Sequence, residues 1–260
     1  MSDSLILPQP FGKISTNGKF IFEDPLTYAK VLSRPNRFIA IIELPDGSQI
    51  EAHCPTTGSI GGWEISGLNC LISGPHLGKV RRTSYTLEAL EVPLASGAKE
   101  LVGINQGAAN RYVEASLLSG QLTDAVGPIN SLKREKKLGS ARIDFNVDDE
   151  EFIEVKTPLQ VISLDTLVPV KSLVTSPPSV DRLVKHVQEL TSALDAGQKA
   201  ILLTCFIYDA PEFNPSRKNN FSTVFDALEK AERAGLERWQ VNYAIDAEGV
   251  SFSSLRKLTN

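Results

Sequence analysis

Short strand-like runs rich in apolar residues follow one another through the first part of the chain, separated by polar turn residues, and predict β-strands. Residues 38–44 and 48–54 flank the turn Pro45-Asp46-Gly47 and therefore predict a hairpin. Stretches containing glycine and proline separate the further runs, which are residues 70–73, 81–92 and 101–105. This rhythm is typical of a small β-barrel or sandwich.

The pattern changes near residues 94–97, beyond which helical and strand-like periods alternate. An apolar stripe with helical spacing joins Leu183, Val187, Leu190 and Leu194. The predicted helices are residues 108–118, a short charged helix at 131–138, and residues 181–196 and 222–234. The predicted strands are Ala141–Val147 and residues 151–157, 200–208 and 238–245. The second part of the chain is therefore expected to be α/β.

The composition is that of a globular protein, with 260 residues, 42% hydrophobic residues and a net charge of −4. The acidic balance argues against a general basic coat for nucleic acid or an anionic membrane. Cys54, Cys70 and Cys205 are too few and too scattered for a disulfide framework, which favours a reducing compartment. Residues 200–208 are far shorter than the ~20 residues of a membrane span. No signal peptide is recognised at the start, so we expect a cytoplasmic protein without membrane association.

Two carboxylates are predicted to face each other across a hairpin. The turn at 148–150 joins the two strands, and a symmetric closure pairs position 147 with 151 and position 144 with 154. Asp144 and Glu154 would then be cross-strand neighbours with β-carbons ~5 Å apart. Their repulsion of about 3 kcal/mol at an effective dielectric of about 20 needs compensation.

A divalent cation would compensate that repulsion, because carboxylates are suitable ligands for Mg²⁺ or Mn²⁺. Lys156 lies on the same strand face as Glu154 and could activate water or stabilise developing phosphorane charge. Glu135, in the basic segment 133–137, could complete the metal shell from the short charged helix. Together these residues indicate metal-assisted phosphodiester hydrolysis.

A structural interpretation stays open at the same residues. Alternating polar residues commonly form the solvent face of a hairpin, and Lys156 could simply neutralise Glu154. A register shift of one residue would move the two carboxylates to opposite faces.

The runs Arg142-Ile143-Asp144-Phe145 and Ile153-Glu154-Val155-Lys156 resemble the core of the PD-(D/E)XK nuclease superfamily. More narrowly, the chain resembles the SfsA family, named for sugar fermentation stimulation protein A. The matching segments follow in collinear order and are Asn36-Arg37-Phe38, His53-Cys54-Pro55-Thr56-Thr57-Gly58, Asn105, Ala109-Asn110-Arg111, Leu132-Lys133 and Lys185-His186.

This resemblance implies an OB-like β-barrel at 25–96 and a nuclease-like α/β domain at 97–260. Residues 1–24 have no obvious counterpart in the family and are expected to form an N-terminal extension. It places metal-binding acids at Asp144 and Glu154, a catalytic lysine at Lys156 and an upstream acid at Glu135. The segment 176–183 departs from the family pattern, which puts substrate specificity or activity in question.

The resemblance also implies binding of DNA, or of RNA, with little sequence preference. The candidate contacts to nucleic acid are basic residues on the barrel, beside the proposed metal site and on the helix at 181–196: Arg37, Arg81, Arg82, Arg142, Lys185 and His186. On the sequence alone, His186 is expected on the polar side of its helix.

Two functions follow from these residues. The first is a nucleic-acid-binding protein with a Mg²⁺- or Mn²⁺-dependent DNA or RNA nuclease site. The alternative is a non-catalytic DNA-binding regulator linked to sugar fermentation or maltose metabolism. The oligomeric state is open, with a homodimer among the possibilities.

Overall fold

The computed structural model describes residues 13–56, 58–76, 82–159, 162–171, 180–214 and 222–258. The described strands are β1 (Lys13–Ile14), β2 (Phe20–Ile21), β3 (Thr27–Asn36), β4 (Ile39–Glu43), β5 (Gln49–His53), β6 (Asn69–Ser73), β7 (Tyr85–Pro93), β8 (Lys99–Gly103), β9 (Leu132–Leu138), β10 (Ala141–Val147), β11 (Glu151–Lys156), β12 (Lys199–Phe206), β13 (Glu237–Ile245) and β14 (Gly249–Lys257). The α-helices are α1 (Ala109–Leu118), α2 (Thr123–Val126), α3 (Val180–Asp195) and α4 (Ser222–Arg233), and a 3₁₀ turn spans Gln106–Ala108.

The first sheet has the order β5-β4-β3-β6-β7-β8, and a parallel pairing of β5 with β7 closes it. In the described part of the chain, five strands thus form a closed barrel, to which β8 adds at β7. Inward-facing residues such as Val31, Ile42 and Leu87 are fully buried in its core. The predicted OB-like barrel and its β4–β5 hairpin are confirmed.

The second sheet has the order β1-β2-β14-β13-β12-β11-β10-β9, in which β11, β12 and β13 are parallel. Residues of α1, including Tyr112 and Val113, pack in one apolar cluster with Ile153 and Leu203. Residues of α3 and α4 pack in another cluster, with Phe152 and Leu202. Helices therefore cover both faces of the sheet, and the predicted α/β domain is confirmed.

One predicted helix is wrong. Residues 132–138 form strand β9, antiparallel to β10, with Arg134 opposite Phe145 and Leu138 opposite Ala141. Lysine, arginine and glutamate favour helices locally, but pairing with β10 overrides that preference. The charged residues are tolerated because β9 is an edge strand, where lysines also discourage pairing with another sheet.

The described part of the expected N-terminal extension belongs to the second sheet. Strand β2 pairs with β14 through Phe20 and Val250, and the buried Phe20 ring packs edge-on against Tyr112 at 5.1 Å between centroids. A Cβ at Gly249 would lie 2.1 Å from the Phe20 carbonyl oxygen, so this close strand approach requires glycine.

The boundary between the two sheets also differs from the expectation. Because β8 pairs with β7, the first sheet extends past residue 97, where the second domain was expected to begin. The 3₁₀ turn and α1 follow directly after β8 in the chain. The composition break near residue 97 therefore marks a turn within the first sheet.

Replacing Phe20 by alanine should reduce the free energy of unfolding by about 3 kcal/mol, because a buried ring is lost from the α1 cluster. Urea denaturation measures the loss. Phe38→Ala is the matched control, since that ring is 43% exposed and should cost much less. A loss for Phe20→Ala no larger than that for Phe38→Ala would contradict the packing role of Phe20.

Candidate functional site

The β10–β11 hairpin forms the centre of the candidate site. Its register pairs Val147 with Glu151 and Phe145 with Ile153, as predicted. The turn contains Asp148 and Asp149 with φ of 51° and 59°, and the Asp148 carboxylate accepts the backbone N–H of Ser131 at 2.5 Å. Continuing this register places Asp144 opposite Glu154.

Asp144 is held from two directions. Its Oδ2 accepts the backbone N–H of Val155 at 2.8 Å, and its Oδ1 accepts the side-chain amide of Asn110 at 2.8 Å. The first bond ties the carboxylate to strand β11 and the second ties it to helix α1. Each oxygen retains capacity for another partner, because a carboxylate oxygen accepts two hydrogen bonds or a metal ion.

Glu154 is buried, with 1% of its surface exposed. Its Oε1 lies 2.6 Å from Nδ1 of His186 on α3, and it also accepts a hydrogen bond from Nζ of Lys156. Its Oε2 is buried and has no hydrogen-bond partner among the described residues. A buried carboxylate oxygen without a partner is costly, which indicates a site for a ligand that the protein itself does not supply.

Lys156 ends strand β11 and is partly exposed. The next residue, Thr157, accepts a hydrogen bond through its carbonyl oxygen from the Gln106 side chain at 2.5 Å. Gln106 opens the 3₁₀ turn that precedes α1. The end of β11 is therefore fixed by the segment that leads out of the barrel, and the Lys156 ammonium stays beside Glu154.

Glu135 lies on strand β9, whereas it was expected on a helix. Its φ of 52° is unusual for a residue with a side chain, and it occupies the position opposite Asp144 in the β9–β10 register. Its exposed carboxylate lies 3.9 Å from Nε of Arg142. A role for Glu135 in a metal shell stays a prediction, and the structure gives its side chain a contact with Arg142.

Among the described residues, no three or more His, Cys, Asp or Glu side chains come together as a metal-binding group. The protein ligands available to a metal ion at this site are thus the two carboxylates of Asp144 and Glu154. Such a donor set suits Mg²⁺, which commonly binds one or two carboxylates and fills its remaining positions with water or phosphate oxygens.

The candidate nucleic-acid contacts lie in several places. Arg37 and Arg82 are exposed on the barrel, and the Arg37 guanidinium lies 4.7 Å from the centroid of the Phe38 ring. Arg142 is exposed on β10, and Lys185 is exposed on α3. Arg81 and residues 172–179, which include half of the divergent segment 176–183, lie outside the described residues.

His186 differs from its expected position on the polar side of α3. It is only 5% exposed and faces Glu154, because α3 packs against the β10–β12 face of the sheet. A polar histidine on a helix is usually exposed, which is why the sequence predicted exposure. In the structure, the buried Glu154 carboxylate provides its hydrogen-bond partner inside the protein.

Sequence reasoning did not assign roles to Asn110, Gln106 or the buried Glu114. Arg134 donates two hydrogen bonds to the Glu114 carboxylate, from Nε to Oε1 and from Nη2 to Oε2. Arg134 is paired with Phe145, the residue after Asp144. The spacing of Asn110 and Glu114 by four residues places both on one face of α1, which was the available signal.

Residues 32–104 match the family described as the SfsA N-terminal OB domain, and residues 107–249 match the sugar fermentation stimulation protein RE domain. The chain belongs to the SfsA family. The two matched regions meet between the end of β8 and the start of α1, in agreement with the two sheets of the structure.

Curated relatives cover nearly the whole chain. The sugar fermentation stimulation protein homolog of Brucella anthropi is 32% identical, covering 90% of this chain and 98% of that protein. The homolog from Synechococcus sp. strain WH7803 is 33% identical over 90% of this chain and 92% of its own. These SfsA relatives share both domains with this chain.

A solved structure shares the fold. The structure of Pyrococcus furiosus SfsA in complex with Ca²⁺ aligns with a TM-score of 0.70 at 18% identity, covering 91% of this chain and 96% of that one. In this SfsA family member, none of the helices in the described part is both long and apolar enough to span a bilayer.

Glu151, at the start of β11, lies three residues before Glu154 and has a strongly shifted pKa. Burial raises its pKa to about 7, and the nearby carboxylates of Glu237 and Asp148 add to the rise. The Lys199 ammonium acts in the opposite direction. The folded protein therefore binds a proton at Glu151 more tightly than the unfolded chain does.

Glu151 should make stability fall as pH rises. Its contribution is fully present below the ordinary value of 4.5 and is lost as pH rises through about 7. Urea denaturation of wild type and Glu151→Gln across this window tests the assignment. The wild type should lose stability relative to the variant as pH rises, and a difference independent of pH would contradict it.

Proposed function

We propose that this SfsA family member binds nucleic acid and hydrolyses phosphodiester bonds at a divalent-metal site formed by Asp144 and Glu154. The observation that carries the proposal is the buried, unpartnered Oε2 of Glu154, beside Lys156. Burial of this oxygen without a partner is costly, and a bound cation would offset that cost.

The residues fit Mg²⁺ or Mn²⁺. Both carboxylates supply hard oxygen ligands, and Asp144 keeps ligand capacity on each oxygen beyond its bonds to Val155 and Asn110. The Ca²⁺ in the Pyrococcus furiosus relative is a cation of the same hard, oxygen-binding class. When bound, such a cation supplies Lewis-acid stabilisation of a phosphoryl oxygen.

The remaining side chains position the two carboxylates and add positive charge to the site. The Lys156 side chain is partly exposed to solvent, where its Nζ can orient an attacking water or donate a hydrogen bond to a phosphoryl oxygen that gains charge. His186 positions Glu154, and Asn110 positions Asp144, because each holds one carboxylate oxygen. Neither of these two residues needs to touch the substrate.

The net charge of −4 does not oppose binding of a polyanion at this point. Arg142 is exposed on β10 two residues before Asp144, and Lys185 is exposed on α3 one residue before His186. Such side chains contact phosphates and do not distinguish one base from another, so they support binding with little sequence preference. Arg37 and Arg82 offer further cationic contacts on the barrel.

The alternative is a non-catalytic DNA-binding regulator linked to sugar fermentation or maltose metabolism. The relatives' names, sugar fermentation stimulation protein homolog, support the link to sugar fermentation. The ion pair between Lys156 and Glu154 favours it, because this pairing already offsets the buried charge. In that case the acids and the lysine stabilise the hairpin, while basic surface residues bind DNA.

Cleavage should depend on the acids and on metal. Purified protein with plasmid or RNA and Mg²⁺ or Mn²⁺ should cut its substrate, and Asp144→Ala or Glu154→Gln should lower the rate by about a hundredfold or more. The control is Glu150→Gln, an exposed carboxylate in the hairpin turn, which should cut like wild type. Equal cleavage by wild type and Asp144→Ala would show that the activity comes from a contaminating nuclease and would contradict the proposal.

Metal binding separates the two functions. Calorimetric titration with Mn²⁺ should give heat that is present in wild type and Glu150→Gln and absent in Asp144→Ala. Loss of that heat in the Asp144 variant supports the metal site even before a substrate is known. DNA binding without any Mn²⁺ heat dependent on Asp144 would favour the regulator.

A further inference from the structure

An open pocket of about 610 Å³ lies on the barrel, apart from the acidic site. Its lining combines apolar side chains with hydrogen-bonding and cationic ones, namely Asn36, Phe38, Ile39, His53, Arg82 and Thr83. This volume falls in the range of pockets that accept small molecules or single groups of a larger ligand.

Phe38 presents an aromatic ring to solvent at this pocket, with 43% of its surface exposed. The Asn36 side chain holds the backbone around it, since Asn36 Oδ1 accepts the N–H of Phe38 at 2.9 Å and of Ile39 at 3.1 Å. The Arg37 guanidinium lies over the ring at 4.7 Å from its centroid. The ring is therefore held outside the core, as a stacking surface requires.

Two arginines give the pocket a positive rim. Arg82 lines the pocket, Arg37 lies against one face of the Phe38 ring, and both arginines are exposed. In the described part of the chain, no carboxylate lies within ion-pair distance of either guanidinium. Their charge is thus available for an anionic ligand, whereas the protein as a whole is acidic.

An exposed ring with one cation against it and another in the same pocket matches one chemical pattern, a flat base flanked by phosphates. Bases in a duplex are stacked on their neighbours and cannot reach Phe38, whereas an unpaired base can. His53 and Thr83 supply polar atoms in the same pocket for the edge of such a base.

We propose that the barrel pocket around Phe38 binds an unpaired nucleobase of single-stranded nucleic acid, with Arg37 and Arg82 on the flanking phosphates. This inference rests on the proposed nucleic-acid binding and adds to it the form of the substrate. The protein then prefers a single strand to a duplex of the same sequence.

The test is fluorescence anisotropy with a labelled oligothymidylate single strand, the matching duplex, and an abasic strand of the same length. Phe38→Ala should weaken binding of the single strand by roughly tenfold, and Phe38→Trp should restore it. The duplex and the abasic strand should bind Phe38→Ala and wild type alike, because neither presents an unpaired base.

Tyr28→Ala is the matched control, since Tyr28 is an exposed aromatic residue on β3, with 53% of its surface exposed, and is not part of the pocket. It should bind the single strand within twofold of wild type. A strand carrying 2-aminopurine adds a direct readout of stacking, because its fluorescence should be quenched by wild type and Phe38→Trp, and much less by Phe38→Ala.

The outcomes separate this inference from the function on which it rests. If wild type binds the single strand and Phe38→Ala binds it equally well, the pocket proposal is overturned and nucleic-acid binding stands. If Phe38→Ala weakens binding of the abasic strand as much as binding of the intact single strand, the ring does not contact a base and the proposal is likewise overturned. If wild type binds neither single strand nor duplex at low salt, both proposals fail.

Discussion

The buried carboxylate of Glu154 is the constraint on which the candidate site depends. A charge at this depth requires compensation, and the chain supplies it on one oxygen through Lys156 and His186. The second oxygen is left for a cation or another ligand. The surroundings of Glu154 thus explain both why α3 places a histidine inside and why the end of β11 carries a lysine.

Asp144 is positioned by a different part of the chain. Its donors are the β11 backbone and Asn110 of α1, and α1 follows the 3₁₀ turn whose Gln106 holds Thr157. Strand β2 supports α1 in turn through the contact of Phe20 with Tyr112. The site therefore depends on the N-terminal strands, although these lie far from the β10–β11 hairpin in sequence.

The sequence predicted the parts of the site that are local. The period of two around a short acidic turn fixed the register of Asp144 and Glu154, because a symmetric hairpin leaves few alternatives. His186 could not be placed, since its orientation depends on which face of α3 meets the sheet. Strand β9 was predicted as a helix because its lysine, arginine and glutamate residues favour helices locally, whereas pairing with β10 imposes the strand. Strand β14 was not predicted, and its pairing with β2 joins segments that are distant in sequence.

The two proposed sites explain how an acidic chain could act on a polyanion. Net charge averages over the surface, whereas a strand meets only the side chains along its path. Arg82 lines the barrel pocket, Arg37 lies against the Phe38 ring, and Arg142 and Lys185 lie beside the acidic site. The buried carboxylate of Glu154 is already partly offset by Lys156, and a cation would offset more of it. The acids that make the chain negative thus include Asp144 and Glu154, whose negative charge a bound cation would offset before a polyanionic substrate meets it.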